Sequence, residues 1–278
     1  MGIRSPTVRA ARQLTKRALR QRARAFLAEG PQAVGEALAS GARLTGLFVT
    51  REGRDRLDQL PGRAELTGVP VHLVSGEVMS SLAQTVTPQG VLGVCEFVDV
   101  PLDTLAQAAP RAPRLVAVLA QVRDPGNAGT VLRTADAAGA NGVIFSSASV
   151  DPYNGKCVRA SAGSLFHLPV VVGPGPAEAV AALRGAGMRI LAADGRGRCL
   201  DELADGGELA GPAAWLFGNE AWGLPGDLLA LADEAVAVPI YGAAESLNLA
   251  AAAAVCLYSS ARSQRSGSTG GWTPAEPG

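Results

Sequence analysis

The sequence predicts an α/β protein in which a parallel sheet covered by helices follows a smaller α/β unit, and three observations carry that prediction. From Leu115 onward, short apolar runs alternate with helical stretches, the rhythm of strands joined by crossover helices. Between Pro101 and Pro113 the chain is rich in proline and alanine and loses any strand pattern, which places a linker over residues 99–113. Ahead of it, residues 25–98 mix helical and extended patterns of their own. The 278-residue chain therefore holds two modest units, each large enough to bury a core.

Taken in order, the first 24 residues carry eight basic side chains (Arg4, Arg9, Arg12, Lys16, Arg17, Arg20, Arg22 and Arg24) and no acid. The remaining residues hold 17 basic against 25 acidic groups, a net of −8, although the whole chain is formally neutral. Residues 1–24 read as a basic arm able to neutralise phosphates, with Arg22 and Arg24 as candidate RNA contacts; a solvated helix face or an Arg-rich transit peptide has the same composition. Ala25 to Ala39 places Phe26, Leu27, Val34 and Leu38 at helical spacing. Leu44–Thr50 and Val69–Val74 read as strands, Glu77–Ala83 as a short helix and Gly90–Val98 as a closing strand. In the second unit, residues 114–262, strands are expected at Leu115–Ala120, Gly142–Phe145, Leu168–Val172, Met188–Ala192, Trp215–Gly218 and Ala235–Ile240. Beyond Ser263, an excess of Ser, Gly, Thr and Pro marks a disordered tail over 263–278.

Composition removes several function classes. With 47% hydrophobic and 18% charged residues the chain is compact and soluble, and no apolar run reaches membrane-spanning length without Gly, Pro or charge. Cys95, Cys157, Cys199 and Cys256 are scattered, with no CxxC pair, as in a reduced cytoplasmic protein. Two histidines, His72 and His167, can assemble neither a zinc cluster nor a His-centred triad, so no metal is expected. Gly126-Asn127-Ala128-Gly129 supplies GxxG rather than GxGxxG. Gly155-Lys156 lacks the upstream glycine of a P-loop, and Arg159-Ala-Ser-Ala-Gly163 lacks the first glycine of a nucleophile elbow.

Three segments, each a strand end followed by polar residues and glycine, remain. They are Asn127-Ala-Gly-Thr-Val-Leu-Arg133, Leu216-Phe-Gly-Asn-Glu-Ala-Trp-Gly-Leu224 and Pro239-Ile-Tyr-Gly-Ala-Ala-Glu-Ser-Leu-Asn248. The last runs into an alanine-rich helix for which Ser246 is a good N-cap. In order and spacing they resemble the signature motifs of the SpoU–TrmH family, S-adenosylmethionine-dependent RNA 2'-O-ribose methyltransferases of the SPOUT superfamily. The resemblance covers roughly Leu115 to Arg262 and implies a deep C-terminal trefoil knot and a homodimer whose active sites share residues between subunits. The string Phe26-Leu-Ala-Glu-Gly-Pro-Gln-Ala-Val-Gly-Glu-Ala-Leu38 is similar to the opening of the ribosomal-protein-like substrate-binding domain that precedes many such catalytic domains. That likeness implies ribosomal RNA, 23S in particular, over transfer RNA.

Matched residue by residue, the resemblance implies catalytic roles for Arg133, Asn127, Glu220, Ser246 and Asn248, cofactor contacts at Gly218, Ile240 and Leu249, and an RNA contact at Arg159. Arg133 is a poor general base because its pKa exceeds about 12. Its fork of donors suits holding the ribose or a phosphate and supporting negative charge on the 2'-oxygen. A salt bridge to Asp136 or Asp124 is the competing role. For Asn127 the alternative is a helix N-cap, for Glu220 a solvated loop carboxylate, and for Arg159 a solvated surface cation. Gly218 is expected to let the backbone approach a purine ring. A tRNA 2'-O-methyltransferase, a SPOUT enzyme acting on a base nitrogen, or a non-catalytic RNA-binding protein on the same scaffold are the rival readings.

Overall fold

In the computed structural model, which describes residues 1–57, 59–106 and 115–266, two sheets are joined through a common core. The N-terminal unit runs α1 (Pro6–Gln13), α2 (Arg17–Ala23), β1 (Ala25–Glu29), α3 (Pro31–Ala39), β2 (Leu44–Val49), α4 (Arg51–Arg56), α5 (Gln59–Leu66), β3 (Val71–Leu73), α6 (Gly76–Leu82) and β4 (Val91–Glu96). Its strands lie in the order β1-β4-β2-β3, with β4 antiparallel to both neighbours and β3 parallel to β2.

Two expectations change here. Residues 25–39 are not one helix, because Gly30 adopts φ 93°, outside helical backbone, and Pro31 opens α3 in its first turn. The preceding five residues pair with β4. Nor are residues 1–24 a detached arm. Val8, Ala11 and Leu14 pack against Leu27, Phe48 and Leu82, so α1 and α2 cover one face of the sheet. Arg20 is buried, while Arg4, Arg9, Arg12, Lys16, Arg17 and Arg22 stay exposed.

The second unit runs α7 (Asp103–Ala106), β5 (Leu115–Leu119), α8 (Pro125–Ala137), β6 (Gly142–Phe145), α9 (Gly155–Ala160), β7 (Val170–Val172), α10 (Pro176–Gly185), β8 (Arg189–Cys199), α11 (Leu200–Asp205), β9 (Ala213–Phe217), α12 (Gly226–Leu229), β10 (Glu234–Ala237) and α13 (Leu249–Ser266). Its six strands are all parallel, ordered β10-β8-β9-β5-β6-β7. Helices cover both faces, which is why β5 reads as an unbroken apolar run. Leu115, Ala117 and Leu119 enter one core cluster, and Val116 and Val118 the other. α13 lies on the first face, with Ala253, Cys256 and Leu257 buried and Ser260 Oγ accepting from Trp215 Nε1 at 2.9 Å. It continues to Ser266, so the tail boundary expected at 263 falls inside a helix; residues 267–278 lie outside the described residues. The expected linker is likewise structured at its start. Val100 N–H donates to Val170 O, and Leu105 is 2% exposed within the second cluster, whereas 107–113 lie outside the described residues.

The two units dock through a loop after β6. Asp151 accepts from Arg20 Nη2 at 2.6 Å and Nε at 3.1 Å, both side chains being almost fully buried. The Tyr153 ring stacks on Phe97 at 3.8 Å, and its hydroxyl accepts from the Val98 and Asp99 N–H groups while donating to Asp99 Oδ1. Elsewhere along the junction, Arg159 pairs with Glu29 at 3.0 Å. His167 sits between Asp136 of α8 at 2.7 Å and Glu36 of α3 at 3.1 Å. One hydrophobic cluster runs from Phe26 and Val34 through Tyr153 to Trp215.

Candidate active site

The first sequence motif forms the start of α8. Asp124, not Asn127, caps this helix: its Oδ1 accepts from Asn127 N–H at 2.8 Å, and its Oδ2 holds Lys156 Nζ at 2.7 Å. The Lys156 hydrogen bond, aided by the Asn127 N–H, holds the Asp124 carboxyl below its ordinary range. With the capping position filled, the Asn127 side chain is left for longer-range bonds.

Those bonds reach the other two motifs. Asn248, rather than Ser246, caps α13, because its Oδ1 accepts from Ala250 N–H at 2.9 Å. That bond fixes the orientation of the Asn248 amide, so its Nδ2 donates to Asn127 Oδ1 at 3.0 Å. The Asn127 amide is oriented in turn, and its Nδ2 donates to Glu220 Oε1 at 3.3 Å. Glu220 also accepts from the N–H groups of Asp124 at 3.1 Å and Arg123 at 3.3 Å. A single polar chain therefore ties the start of α8 to two segments 93 and 121 residues further on, with every orientation set by backbone N–H groups at its two ends. Glu220, exposed in its turn, is a brace with three donors.

Glu220 stands in a tight turn closed by reciprocal Asn219 and Gly223 backbone bonds, each 2.9 Å. A side chain at Gly218 would place Cβ 2.4 Å from the Gly223 carbonyl carbon. The glycine is thus required first by the turn's own backbone, a reason different from the expected approach to a purine. Asn219 Nδ2 further ties the turn to Gln121 O at 3.0 Å.

Behind this turn, at the carboxyl ends of β9 and β10, lies a cleft of about 520 Å³, of the size that takes a small-molecule ligand. Gly218, Glu220, Ile240, Ser246 and Leu249 all line it, so the structure gathers the three residues expected at the cofactor with two of those expected in catalysis. Asn127 and Asn248 stand at its edge through their bonds to Glu220 and α13. The outer end of the Pro239–Asn248 loop is anchored where Tyr241 Oη donates to Asp201 Oδ2 at 2.8 Å. One lining residue escaped the sequence reading. Between Ala235 and Val236 of β10 the register on β8 jumps from Ala192 to Arg198, and the residues that loop out carry Asp194 into the cleft. Arg196, by hydrogen bonds at 3.0 and 3.1 Å, holds the Asp194 carboxyl below its ordinary range. No residue type in Asp194-Gly-Arg-Gly197 announces this, although a Cβ at Gly197 would meet the Ala235 carbonyl carbon at 2.2 Å. Carboxylates of Asp194, Glu220 and Glu245 line the cleft, and no Lys or Arg does. Such a lining favours a ligand carrying positive charge.

The remaining candidates are placed differently. Arg133 is exposed on α8 and does not line this cleft. Among the described residues it makes no hydrogen bond or ion pair, and both of its candidate partners are engaged: Asp136 with His167, Asp124 with Lys156. Arg159 pairs with Glu29, and the exposed Arg24 pairs with Asp99 at 3.0 Å and lies 4.7 Å from the Phe97 ring centroid. Arg22 is exposed. Among the described residues no group of three or more His, Cys, Asp and Glu could hold a metal ion. Burial pushes the thiols of Cys95 and Cys256 up to about 12, which removes them as nucleophiles near neutral pH.

Comparison with known proteins follows the same division of the chain. Residues 114–258 match the SpoU rRNA Methylase family, and residues 5–93 match the MRM3-like substrate binding domain. The chain is 36% identical to the 23S rRNA (guanosine(2553)-2'-O)-methyltransferase RlmP of Bacillus subtilis over 241 residues, covering 86% of this chain and 89% of that one. It is 39% identical over 181 residues to the 23S rRNA (uridine(2479)-2'-O)-methyltransferase of Streptomyces viridochromogenes, 63% of this chain and 62% of the other. Among solved structures, the AdoMet-bound rRNA methyltransferase from Sinorhizobium meliloti superposes with a TM-score of 0.81 at 32% identity, covering 94% and 96% of the two chains. The SpoU methyltransferase AviRb from Streptomyces viridochromogenes in complex with AdoMet gives 0.79 at 30% identity over 95% and 100%.

Proposed function

We propose, from the premise that this chain belongs to the SpoU rRNA methylase family, that it transfers a methyl group from S-adenosylmethionine to a ribose 2'-hydroxyl of 23S ribosomal RNA. The observation that carries this reading is the polar chain Asn248–Asn127–Glu220, which assembles all three motifs beside a carboxylate-lined cleft. The two AdoMet-bound relatives support the same cofactor here.

When bound, S-adenosylmethionine supplies a methyl group on a positively charged sulfur that departs as a neutral thioether. The acidic lining of the cleft suits that charge, and Gly218, Ile240 and Leu249, which line it, would hold the cofactor. Because the leaving group needs no electrophilic help, the protein's work is to place the 2'-oxygen in line and to support charge on it as its proton departs. Glu220, already accepting from three donors, keeps the rim of the cleft rigid. Ser246, exposed on the cleft wall and unbonded among the described residues, would be available to the substrate hydroxyl.

Arg133 enters through a second subunit in this reading. α8 and α13 present Thr130, Arg133 and Ala137 beside Ala251, Val255 and Tyr258, an exposed face with two large apolar side chains at 40% and 51% exposure. A homodimer formed there brings each Arg133 to the other subunit's cleft, where its donors stabilise the developing 2'-oxyanion. The C-terminal segment after β10 closes the fold as a trefoil knot, and the protein works in the cytoplasm, where its RNA is. No helix among the described residues is long and apolar enough to cross a membrane. The exposed basic face of α1 and α2, including Arg22, offers phosphate contacts.

The test is transfer of labelled methyl from S-adenosylmethionine to 23S rRNA followed by alkaline hydrolysis. A 2'-O-methyl blocks cleavage at its own nucleotide, so the label is expected in alkali-resistant dinucleotides. Label recovered in single nucleotides modified on the base would overturn the ribose reading. Unlabelled RNA would overturn the activity.

A further inference from the structure

Trp222 is 54% exposed, an unusual place for the largest side chain, and it stands at the tip of the turn that carries Glu220. The Arg123 guanidinium lies over its ring at 5.2 Å from the centroid. Both residues are held from behind by backbone alone. The Arg123 N–H donates to Glu220, while Trp222 is bracketed by the paired Asn219 and Gly223 and by Ala221 N–H, which donates to Asn219 Oδ1 at 2.9 Å. Neither side chain is needed to build the turn, yet Trp222 stands two residues from the cleft-lining Glu220, and the Arg123 N–H is bonded to that same carboxylate.

A rigid exposed indole with a guanidinium on one face matches the way proteins hold unpaired nucleobases: the base stacks on the aromatic ring and the cation meets the neighbouring phosphate. We propose that Trp222 and Arg123 form a stacking platform that holds an unpaired base of the RNA at the mouth of the cleft, so that the ribose of the target nucleotide is turned towards the methyl group. The inference rests on the RNA-methylating reading above. It adds a positioning site that touches the base rather than the reacting oxygen. Position 222 lies inside the second motif but is given neither a catalytic nor a cofactor role by it.

Fluorescence separates this claim from the activity itself. In a Trp272→Phe background the emission comes from Trp215, which is 0% exposed, and from Trp222. Titration with a single-stranded octamer of adenylate should quench the exposed component, and Trp222→Phe should abolish that quenching while retaining most of the affinity measured by anisotropy of end-labelled RNA. Trp222→Ala should weaken RNA binding and raise the KM for 23S rRNA about tenfold, the scale of losing one stacked base, with S-adenosylmethionine affinity by calorimetry unchanged. Unaltered KM and RNA affinity in Trp222→Ala would overturn the platform and leave the methyltransferase intact. A fall in oligomeric mass with unchanged RNA affinity would assign Trp222 to a subunit contact and likewise overturn it. Trp222-dependent quenching in a protein that transfers no methyl would sustain the platform and remove the activity.

Discussion

Replacing Arg20 with Ala should be among the most damaging single changes outside the cleft. The guanidinium makes two bonds to Asp151 Oδ2, at 2.6 and 3.1 Å, and two more from Nη1 to the carbonyls of Leu14 and Thr15, both at 3.0 Å. Its side chain is 4% exposed and that of Asp151 3%. Truncation therefore strands a buried carboxylate whose other oxygen is occupied by Tyr153 N–H, and it frees two carbonyls at the end of α1. Removing one partner of a buried ion pair costs about 3–5 kcal/mol. For a chain of this length that corresponds to a melting point lower by roughly 10 °C. Because Asp151 sits in the loop that docks on Phe97 through Tyr153, the loss should also reduce transfer to RNA more than it reduces S-adenosylmethionine binding. The assay is differential scanning fluorimetry beside methyl transfer. The Arg20→Met, Asp151→Leu double variant, which removes both charges and keeps the volume, should recover most of the melting point. An Arg20→Ala protein melting within about 2 °C of the parent would refute the reasoning, since the pair would then be contributing less than a typical exposed bridge.

Further outcomes are expected elsewhere. Arg133→Ala should lower single-turnover methyl transfer at least about a hundredfold, equivalent to about 2.7 kcal/mol of barrier, without moving the melting point, because the side chain has no partner to lose among the described residues. Arg133→Lys should recover little, and a normal rate in Arg133→Ala would remove the residue from the mechanism. Gly218→Ala should abolish measurable cofactor binding by calorimetry, as its Cβ would lie 2.4 Å from Gly223; ordinary affinity would show that the turn yields freely. His167 should make stability pH-dependent. Burial opposes its charged form, but hydrogen bonds to Asp136 and Glu36 outweigh that and raise its pKa above the ordinary 6.5. The stabilisation is then complete below about pH 6.5 and lost as pH rises through the higher folded value. The melting-point gap between wild type and His167→Gln should accordingly be widest in mild acid and narrow on the alkaline side. A gap independent of pH would assign His167 to packing.

What could be read from the sequence, and what could not, follows the range of the forces involved. Gly142–Phe145 is apolar throughout and was bounded correctly because a strand covered on both faces announces itself locally. Ala25–Ala39 misled because Phe26, Leu27, Val34 and Leu38 fit a helical period across a break that Gly30-Pro31 marks only once the backbone is known. The cleft residues Gly218, Ile240 and Leu249 were accessible through the family resemblance, which assigns them by their places in and beside the second and third motifs. Their neighbour Asp194 was hidden by a register jump in which no single residue is unusual. The fates of Arg24 and Arg159 lay beyond reach, since their carboxylate partners are 75 and 130 residues away. Caps divided in the same way: Ser246 and Asn127 are good capping residue types, but Asn248 and Asp124 hold those positions because the helices begin elsewhere.

The shared core between the two sheets has a mechanical consequence. A hydrophobic cluster that runs from Phe26 to Trp215, bolted by Arg20–Asp151 and Arg159–Glu29, holds the two sheets together without a hinge among the described residues. The molecule is then a caliper with its jaws set: any RNA lying on the helical face of the first sheet meets the cleft of the second at one fixed span. Distance along a folded RNA becomes a criterion for choosing a nucleotide. Tolerance would come from the bending of the RNA.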